Sequence, residues 1–278
     1  MHFPVELNAL LGIYCEKQLD KMRNEEVTIM VREGRIYVIE GPDGSGKSTM
    51  VGHLVDRLNS VGIPFKSVAL PNENSEMYNQ IRLYLKKTYV DIDQLQQYML
   101  TNMDDCFSKI IIPTIQIGEN VILDRWAVST IIYNMINSGK LITDDYLTSD
   151  GCIDMERIVR KSSCFVWPNK IFYLNTPKKV LIDNAIKRSK LSAVEIFDKE
   201  EKVVALYNGY QDFYKAITNE RLKFEGYPIY EFKTSINKDR HMMIDPNPVY
   251  YANPSDTGLY VSMEDKIFDE IIKDVGII

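Results

Sequence analysis

The amino-acid sequence predicts an α/β protein built in three layers, in which a mostly parallel, five-stranded sheet is flanked by helices. Two observations predict this fold class. Short apolar segments bounded by turns alternate with helical segments, and a glycine-rich segment joins the first of the predicted core strands to the first long helix. The chain has 278 residues, 45% of them hydrophobic, so it can bury one large core.

The predicted strands are short and apolar, as expected for a parallel sheet that is covered on both faces. They are Ile36–Glu40, Phe65–Leu70, Asn120–Asp124, Lys170–Asn175 and one strand between Pro228 and Ile244. The predicted helices between them are Lys47–Ser60, Glu76–Lys87, Ile92–Ile117, Ser129–Asn137, Lys178–Lys190 and Lys199–Thr218. A last helix is predicted from Ser262, because Asp265 completes a capping-box pattern ahead of Ile267.

Two segments are predicted to be additions to this core. Residues 1–34 are expected to form an N-terminal extension, with a helix followed by a hairpin strand, ahead of a main domain that spans residues 35–278. Residues 246–261 contain several prolines and a glycine, a pattern typical of an inserted loop.

The charge of the chain argues against several classes of partner. The formal net charge is −6 and the isoelectric point is near 5.3, whereas surfaces that collect nucleic acids or acidic membranes need a positive field. The four cysteines are far apart, as is typical of reduced thiols, and no apolar run is long enough to span a membrane. We expect a soluble cytoplasmic protein that binds neither nucleic acid nor membrane.

The glycine-rich segment Gly41–Ser48 matches the phosphate-loop pattern G-x-x-x-x-G-K-[ST] in the strand-to-helix setting that this motif requires. Its glycines let backbone N–H groups point at phosphate oxygens, and the following helix adds its positive N-terminal dipole. Lys47 would reach the β and γ phosphates of ATP, and Ser48 would bind the bridging Mg2+. The predicted ATP-binding residues are Gly41, Asp43, Gly44, Ser45, Gly46, Lys47, Ser48 and Thr49. The alternative is a glycine-rich turn with an exposed lysine.

A carboxylate at the end of a neighbouring strand would complete a Mg-ATP site. Asp124 ends the apolar segment Val121–Leu123, and Arg125 follows it directly. Ligands bind beyond the carboxyl ends of parallel strands. We therefore predict that Ser48 and Asp124 hold the metal and that Arg125 is an active-site cation. A helix cap or a surface ion pair is the alternative for Asp124 and Arg125.

These residues resemble the thymidylate kinase family. The family's first strand ends in Glu-Gly-x-Asp-Gly-x-Gly-Lys-Ser/Thr-Thr, which Glu40–Thr49 matches. Its Asp-Arg-Tyr segment, with the Ser-Ser/Thr and Ala-Tyr-Gln that come after it, is similar to Asp124–Asn134. Pro168–Asn175 resembles the family's Pro-x-Leu-x-x-Tyr-Leu-Asp strand, and a lid-like stretch spans residues 187–198.

The resemblance implies a P-loop fold, ATP with Mg2+ as the donor, and a nucleoside monophosphate as the acceptor, in the first place deoxythymidine monophosphate (dTMP). It assigns Asp43 to the acceptor sugar and Arg125 to the acceptor phosphate. Tyr133 and Asn134 are assigned to the sugar or base, and Ser129 lies in the same segment. The predicted catalytic residues are Lys47, Asp124, Arg125 and the lid residue Arg188. A solvated basic helix end is the alternative for Arg188, and homodimers are usual in the family.

The chain departs from the family pattern on the acceptor side. Glu73 stands where the family has an arginine that clamps the acceptor phosphate, and Met103 stands where a second arginine contacts the base. Met99, next to Tyr98, replaces the aromatic residue that stacks on thymine. These four residues complete the predicted acceptor site, and another cation, Arg82 or Lys66, could fill the missing role.

Two other functions stay open on the sequence alone. Glu73 would suit a deoxynucleoside kinase, because a hydroxyl acceptor benefits from a general base. The third hypothesis is a nucleotide-binding switch. Against it, the GTPase motif Asn-Lys-x-Asp is absent from the sequence, since Asn169-Lys170-Ile171 continues into Phe172.

Overall fold

The computed structural model describes residues 33–86, 91–138, 152–153, 168–191, 197–219, 231–232, 240–245 and 258–276. The predicted N-terminal helix and hairpin strand lie outside the described residues. So do residues 192–196 of the lid-like stretch and residues 246–257 of the predicted insertion. The nature of these segments stays a prediction.

Five parallel strands form one sheet, as the sequence predicts. Numbered in chain order, they are β1 (Ile36–Glu40), β2 (Phe65–Ala69), β3 (Asn120–Asp124), β5 (Lys170–Leu174) and β7 (His241–Ile244). Their order across the sheet is β2-β3-β1-β5-β7. Two more short strands, β4 (Cys152–Ile153) and β6 (Glu231–Phe232), pair in parallel and form a separate two-stranded sheet.

β1 lies at the centre of the sheet, between β3 and β5. All of its residues are buried, and they alternate between two apolar cores: Ile36 and Val38 belong to one, Tyr37 and Ile39 to the other. Because both faces of the strand are buried, its sequence is a nearly continuous apolar run. Its last residue is Glu40, so the loop after it starts from a rigid base.

The helices are α1 (Lys47–Ser60), α2 (Tyr78–Leu85), α3 (Ile92–Cys106), α4 (Ile112–Gln116), α5 (Ala127–Ser138), α6 (Lys178–Leu191), α7 (Glu200–Asn219) and α8 (Gly258–Val275). A π-helical turn, Phe107–Ile111, joins α3 to α4. Pro113 in α4 has no N–H to donate to the preceding turn, which favours a local departure from α-helical hydrogen bonding. None of the helices in the described ranges is long and apolar enough to cross a membrane.

The predicted start of the last helix is wrong. α8 begins at Gly258 rather than at Ser262, and the side chain of Asp265 accepts a hydrogen bond from Arg57 instead of completing a cap. No proline comes after Gly258 in this segment, so the helix can extend back past the apparent capping box. The predicted insertion, 246–261, therefore overlaps the helix in its last four residues.

Candidate active site

The segment between β1 and α1 forms a tight turn. Gly44 and Gly46 have φ angles of 81° and 88°, a region that glycine adopts without the steric cost of a side chain. Gly46 directly precedes α1, so the free N–H groups of that helix begin at the loop. The loop is held from the β5 side, where the Thr176 hydroxyl donates to Ser45 O at 3.1 Å and Asn184 Nδ2 donates to Gly44 O at 2.8 Å.

Lys47 is buried within this turn. The residue is 5% exposed, and its Nζ donates to Pro42 O at 2.7 Å. Burial and the charge of Arg125 lower the pKa of Lys47 to about 8. The alternative of a turn with an exposed lysine is therefore wrong, and the loop presents a positive charge to an anionic ligand.

Asp124 and Ser48 meet at the carboxyl end of the sheet. Ser48 Oγ donates to Asp124 Oδ2 at 2.5 Å. The other oxygen, Asp124 Oδ1, is buried and accepts no hydrogen bond within the described part of the chain. Mg2+ commonly takes one or two protein oxygens and completes its shell with water and substrate phosphates. A carboxylate oxygen with a free coordination direction, next to a hydroxyl, fits that requirement.

Arg125 occupies the junction between β3 and α5, where its φ of 76° is uncommon for a residue with a side chain. Its guanidinium forms an ion pair with Asp43 and donates to Ser129 Oγ at 3.1 Å, and the Tyr133 ring centroid lies 5.1 Å from its Cζ. Burial would raise the pKa of Asp43, but the charges of Arg125 and Lys47 hold it below its usual value. The structure thus brings four predicted acceptor residues together: Asp43, Arg125, Ser129 and Tyr133.

A pocket opens beside the phosphate loop. Its lining side chains are Asp43, Leu70, Pro71, Arg82, Leu85, Leu95, Met99, Asn102, Met103, Arg125, Trp126, Ser129, Thr130, Tyr133 and Phe197. The wall is largely apolar, with a few charged and polar groups that include Asp43, Arg82 and Arg125. Such a composition suits a ligand that has a flat ring and an anionic group.

Among the predicted acceptor residues whose side chains the structure describes, Glu73 and Tyr98 do not line this pocket. Glu73 is exposed, because the buried neighbour Asn72 is tied to α3: its N donates to Asn102 Oδ1 at 2.6 Å, and its O accepts from Asn102 Nδ2 at 2.8 Å. Tyr98 packs edge-on against Tyr84, with ring centroids 5.3 Å apart. The predicted neighbours Met99 and Met103, by contrast, are part of the wall.

Arg188 lies on α6, near the phosphate loop. Its Nε donates to Asp198 Oδ1 at 2.9 Å, so the two ends of the lid-like stretch are linked by an ion pair. The charge of Arg188 adds to those of Arg125 and Lys47 in lowering the pKa of Asp43. Thr49 is exposed on α1, and the side chain of Asn134 lies outside the described residues.

Two buried residues, Glu40 and Tyr210, have no separate role in the predicted site. Glu40 is 0% exposed and accepts hydrogen bonds from Ser129 Oγ at 2.6 Å and from Tyr210 OH at 3.1 Å. A charged residue at the end of an otherwise apolar, buried strand is the signal that could have identified Glu40. Tyr210 has no comparable signal, because its partner is far away in the sequence.

Comparison with known proteins agrees with this geometry. The family model described as thymidylate kinase matches residues 39–225. The thymidylate kinase of Leptospira borgpetersenii is 28% identical over 70% of this chain and 87% of its own length, and that of Chlorobaculum parvum is 29% identical over 66% and 78%. The thymidylate kinase of Dictyostelium discoideum is 26% identical over 78% of this chain and 86% of its own length. The family model covers well over half of the chain and the relatives named above share its description, so this protein belongs to the thymidylate kinase family.

Proposed function

We propose that this protein transfers the γ-phosphoryl group of ATP to dTMP and releases ADP and dTDP. The observation that carries the proposal is the contact between the phosphate loop, which would bind the donor, and the pocket, which would bind the acceptor. Asp43 belongs to the phosphate loop and also lines the pocket, where it is paired with Arg125. A donor phosphate on the loop and an acceptor phosphate at Arg125 would therefore be neighbours.

The residues present account for the reaction mainly by positioning and by charge. Lys47 and the N-terminus of α1 would bind the donor phosphates, while Ser48 and Asp124 would hold the Mg2+ that neutralises them. Arg125 would bind and orient the acceptor phosphate. A phosphate dianion is already a nucleophile, so the transfer requires no dedicated general base.

The deoxynucleoside kinase alternative depends on Glu73 as a base. Glu73 is exposed and does not line the pocket, whereas two arginines do. Arginine at the acceptor end favours an anionic acceptor over a neutral hydroxyl. The geometry thus supports a monophosphate acceptor, and no described feature favours a nucleotide-binding switch.

The acceptor is tested by measuring ADP release with dTMP, dUMP, dCMP, dGMP and dAMP, and with thymidine and deoxycytidine. We expect the highest kcat/KM with dTMP and no turnover of the nucleosides. Turnover of nucleosides alone would overturn the monophosphate assignment. ATP hydrolysis that no acceptor stimulates would overturn both kinase functions.

Arg82 is expected to supply acceptor-binding charge in place of the arginine that Glu73 replaces. Arg82→Ala should raise the KM for dTMP by about tenfold or more, the typical effect of losing a hydrogen bond to a charged group. Glu73→Arg and Glu73→Ala should leave this KM unchanged within about twofold, because an exposed surface charge contributes little. Lys86→Ala, an exposed cation just after α2, is the matched control. A lower KM for Glu73→Arg would show that the acceptor phosphate reaches that loop.

Asp124 is expected to determine the affinity for the metal. Asp124→Asn should raise the Mg2+ concentration for half-maximal activity by about ten- to a hundredfold, because the change removes a charge from the metal site while keeping an acceptor for Ser48. Binding of Mn2+ in the presence of ADP, followed by electron paramagnetic resonance, should weaken in parallel. Asp56→Asn, an exposed carboxylate on α1, is the control. Equal metal affinity in the two variants would exclude Asp124 as a ligand.

We also propose that the protein is a homodimer in the cytoplasm. Family membership supports the dimer, and the proposed use of ATP and dTMP supports the location. Light scattering that gives twice the chain mass and cell fractionation would test the two statements; a monomeric mass would overturn the first.

A further inference from the structure

A buried carboxylate is connected to Arg125 through a single hydroxyl group. Glu40 Oε2 accepts a hydrogen bond from Ser129 Oγ at 2.6 Å, and the same Ser129 Oγ accepts one from Arg125 Nη1 at 3.1 Å. Burying a carboxylate away from water is strongly unfavourable unless its oxygens are satisfied. The partners of Glu40 therefore explain why a charged residue ends the central strand.

The other oxygen of Glu40 binds the start of α5. Its Oε1 accepts from the backbone N–H groups of Trp126 at 2.8 Å and Ser129 at 3.3 Å. N–H groups at a helix N-terminus have no partner within the helix, and a negative charge is favourable there. Glu40 thus caps α5 from a different strand. The cap fixes the backbone at the junction between β3 and α5, and Arg125 lies in that junction.

The backbone of Arg125 is held on both sides. Its own N–H donates to Ile39 O at 3.1 Å, and the next N–H, of Trp126, donates to Glu40. A left-handed conformation is unfavourable for arginine and persists only where the surroundings enforce it. Glu40 consequently restrains Arg125 in two ways. It binds the backbone N–H of the next residue, Trp126, and it holds the Ser129 hydroxyl that accepts from the guanidinium.

Tyr210 on α7 completes a hydrogen-bond network with Glu40, Ser129 and Arg125. Its hydroxyl lies 3.1 Å from Glu40 Oε2 and 2.8 Å from Ser129 Oγ. Ser129 Oγ donates its hydrogen to Glu40 Oε2, so the Tyr210 hydroxyl can only donate, either to that same carboxyl oxygen or to Ser129 Oγ. Removing the Tyr210 hydroxyl takes one donor from the pair of groups that orients Arg125.

We propose that Glu40 and Tyr210 are positioning residues, which set the orientation of the Arg125 guanidinium toward the acceptor phosphate. The proposal rests on the proposed function, in which Arg125 binds dTMP. Tyr210 does not line the pocket. Its effect on the acceptor must therefore pass through Ser129 and Arg125, and this route predicts a specific pattern of variant kinetics.

Tyr210→Phe keeps the ring and removes only the hydroxyl. It should raise the KM for dTMP by about three- to tenfold, the usual effect of one neutral hydrogen bond, and change the KM for ATP by less than about twofold. Glu40→Gln replaces the carboxyl group with an amide of nearly the same volume, which puts an N–H donor among groups that already donate to it, and should raise the KM for dTMP by about ten- to a hundredfold. Tyr207→Phe, one turn away on α7 and outside the network, is the matched control and should leave both constants unchanged.

A double-variant cycle separates positioning from a purely structural role. In an Arg125→Lys background the guanidinium is gone, so Tyr210→Phe should change the KM for dTMP by less than about twofold. If Tyr210 only stabilises the fold, its substitution will lower the melting temperature, and its kinetic effect will be the same in both backgrounds or will fall equally on ATP and dTMP. Either result overturns the proposal.

Arginine-selective 15N NMR tests the positioning without an acceptor. The side-chain resonances of Arg125 should be those of a restrained guanidinium in the unaltered protein and should become exchange-broadened in Glu40→Gln and Tyr210→Phe. Unchanged resonances would overturn the positioning role even if dTMP is a substrate. Changed resonances in a protein that does not phosphorylate dTMP would overturn the proposed function and leave the positioning role intact.

Discussion

Lys47→Ala is expected to lower kcat by about a hundred- to a thousandfold, because it removes a preorganised positive charge from the donor phosphates where negative charge develops. Lys47 is buried in the loop, and its hydrogen bond to Pro42 O holds the ammonium group among the loop residues that would receive the donor phosphates. The measurement is steady-state kinetics with saturating ATP and dTMP.

The control for this substitution is Lys179→Ala, which removes an exposed lysine of α6 and should leave kcat unchanged. The variant at position 47 should keep the circular dichroism spectrum of the unaltered protein, because the strands and helices around the loop do not depend on one side chain. A folded variant that retains full activity would refute the assignment of the phosphate loop.

The pH dependence gives a second measurement of the same group. Burial, with the charge of Arg125, lowers the pKa of Lys47 to about 8, so the free protein loses the ammonium charge as the pH rises through that value. The ratio kcat/KM for ATP reports groups of the free enzyme and should fall by about tenfold for each pH unit above 8. The Lys47→Ala variant should lack this alkaline limb. A limb that persists in the variant would belong to another group.

Arg125→Ala is expected to lower kcat/KM for dTMP by about a hundred- to a thousandfold, the range typical of truncating one partner of a charged, hydrogen-bonded pair. Its guanidinium would contact the acceptor phosphate while paired with Asp43. Arg125→Lys should show an intermediate loss, because an ammonium group keeps the charge but lacks the planar fork that meets a phosphate with two parallel bonds. The KM for ATP should change far less in both variants.

Loss of Arg125 also removes the ion-pair partner of Asp43, and the resulting loss of stability could be mistaken for a binding effect. The free energy of unfolding of Arg125→Ala should fall by about 1–3 kcal/mol, as expected when a largely buried charge loses its partner. The double variant Asp43→Asn/Arg125→Ala should recover most of this stability and none of the activity. If activity returned together with stability, Arg125 would have no direct part in acceptor binding.

The strands and the loop at the donor end of the candidate site agree with the sequence prediction, whereas the roles of their residues stay predictions. The strand bounds of β1 and β3, the loop Gly41–Ser48 and the Asp124 carboxylate all depend on local pattern. A buried parallel strand is a continuous apolar run, and the residues at its carboxyl end lie at the binding edge of the sheet. β1 and β3 are adjacent parallel strands, so the loop after β1 and Asp124 at the end of β3 lie side by side.

The acceptor half depends on contacts that no local pattern records. α5 begins two residues earlier than predicted because Glu40, on another strand, satisfies the N–H groups of Trp126 and Ser129. Glu73 is turned to solvent because its neighbour Asn72 is bonded to Asn102 on α3. Sequence spacing shows which residues are near one another along the chain, but it does not show which side of a loop faces the pocket.

The position of β1 in the sheet also affects how the protein is made. Its neighbours, β3 and β5, are synthesised long after it, so β1 and the phosphate loop emerge from the ribosome with both edges of the strand unpaired. Non-local strand pairing of this kind is slow, and exposed apolar strands are prone to aggregation during the delay. A nascent chain that ends before Lys170 cannot pair β1 on both sides. The phosphate loop, which Thr176 and Asn184 hold from the β5 side, therefore gains its full set of contacts only after those two residues have been synthesised.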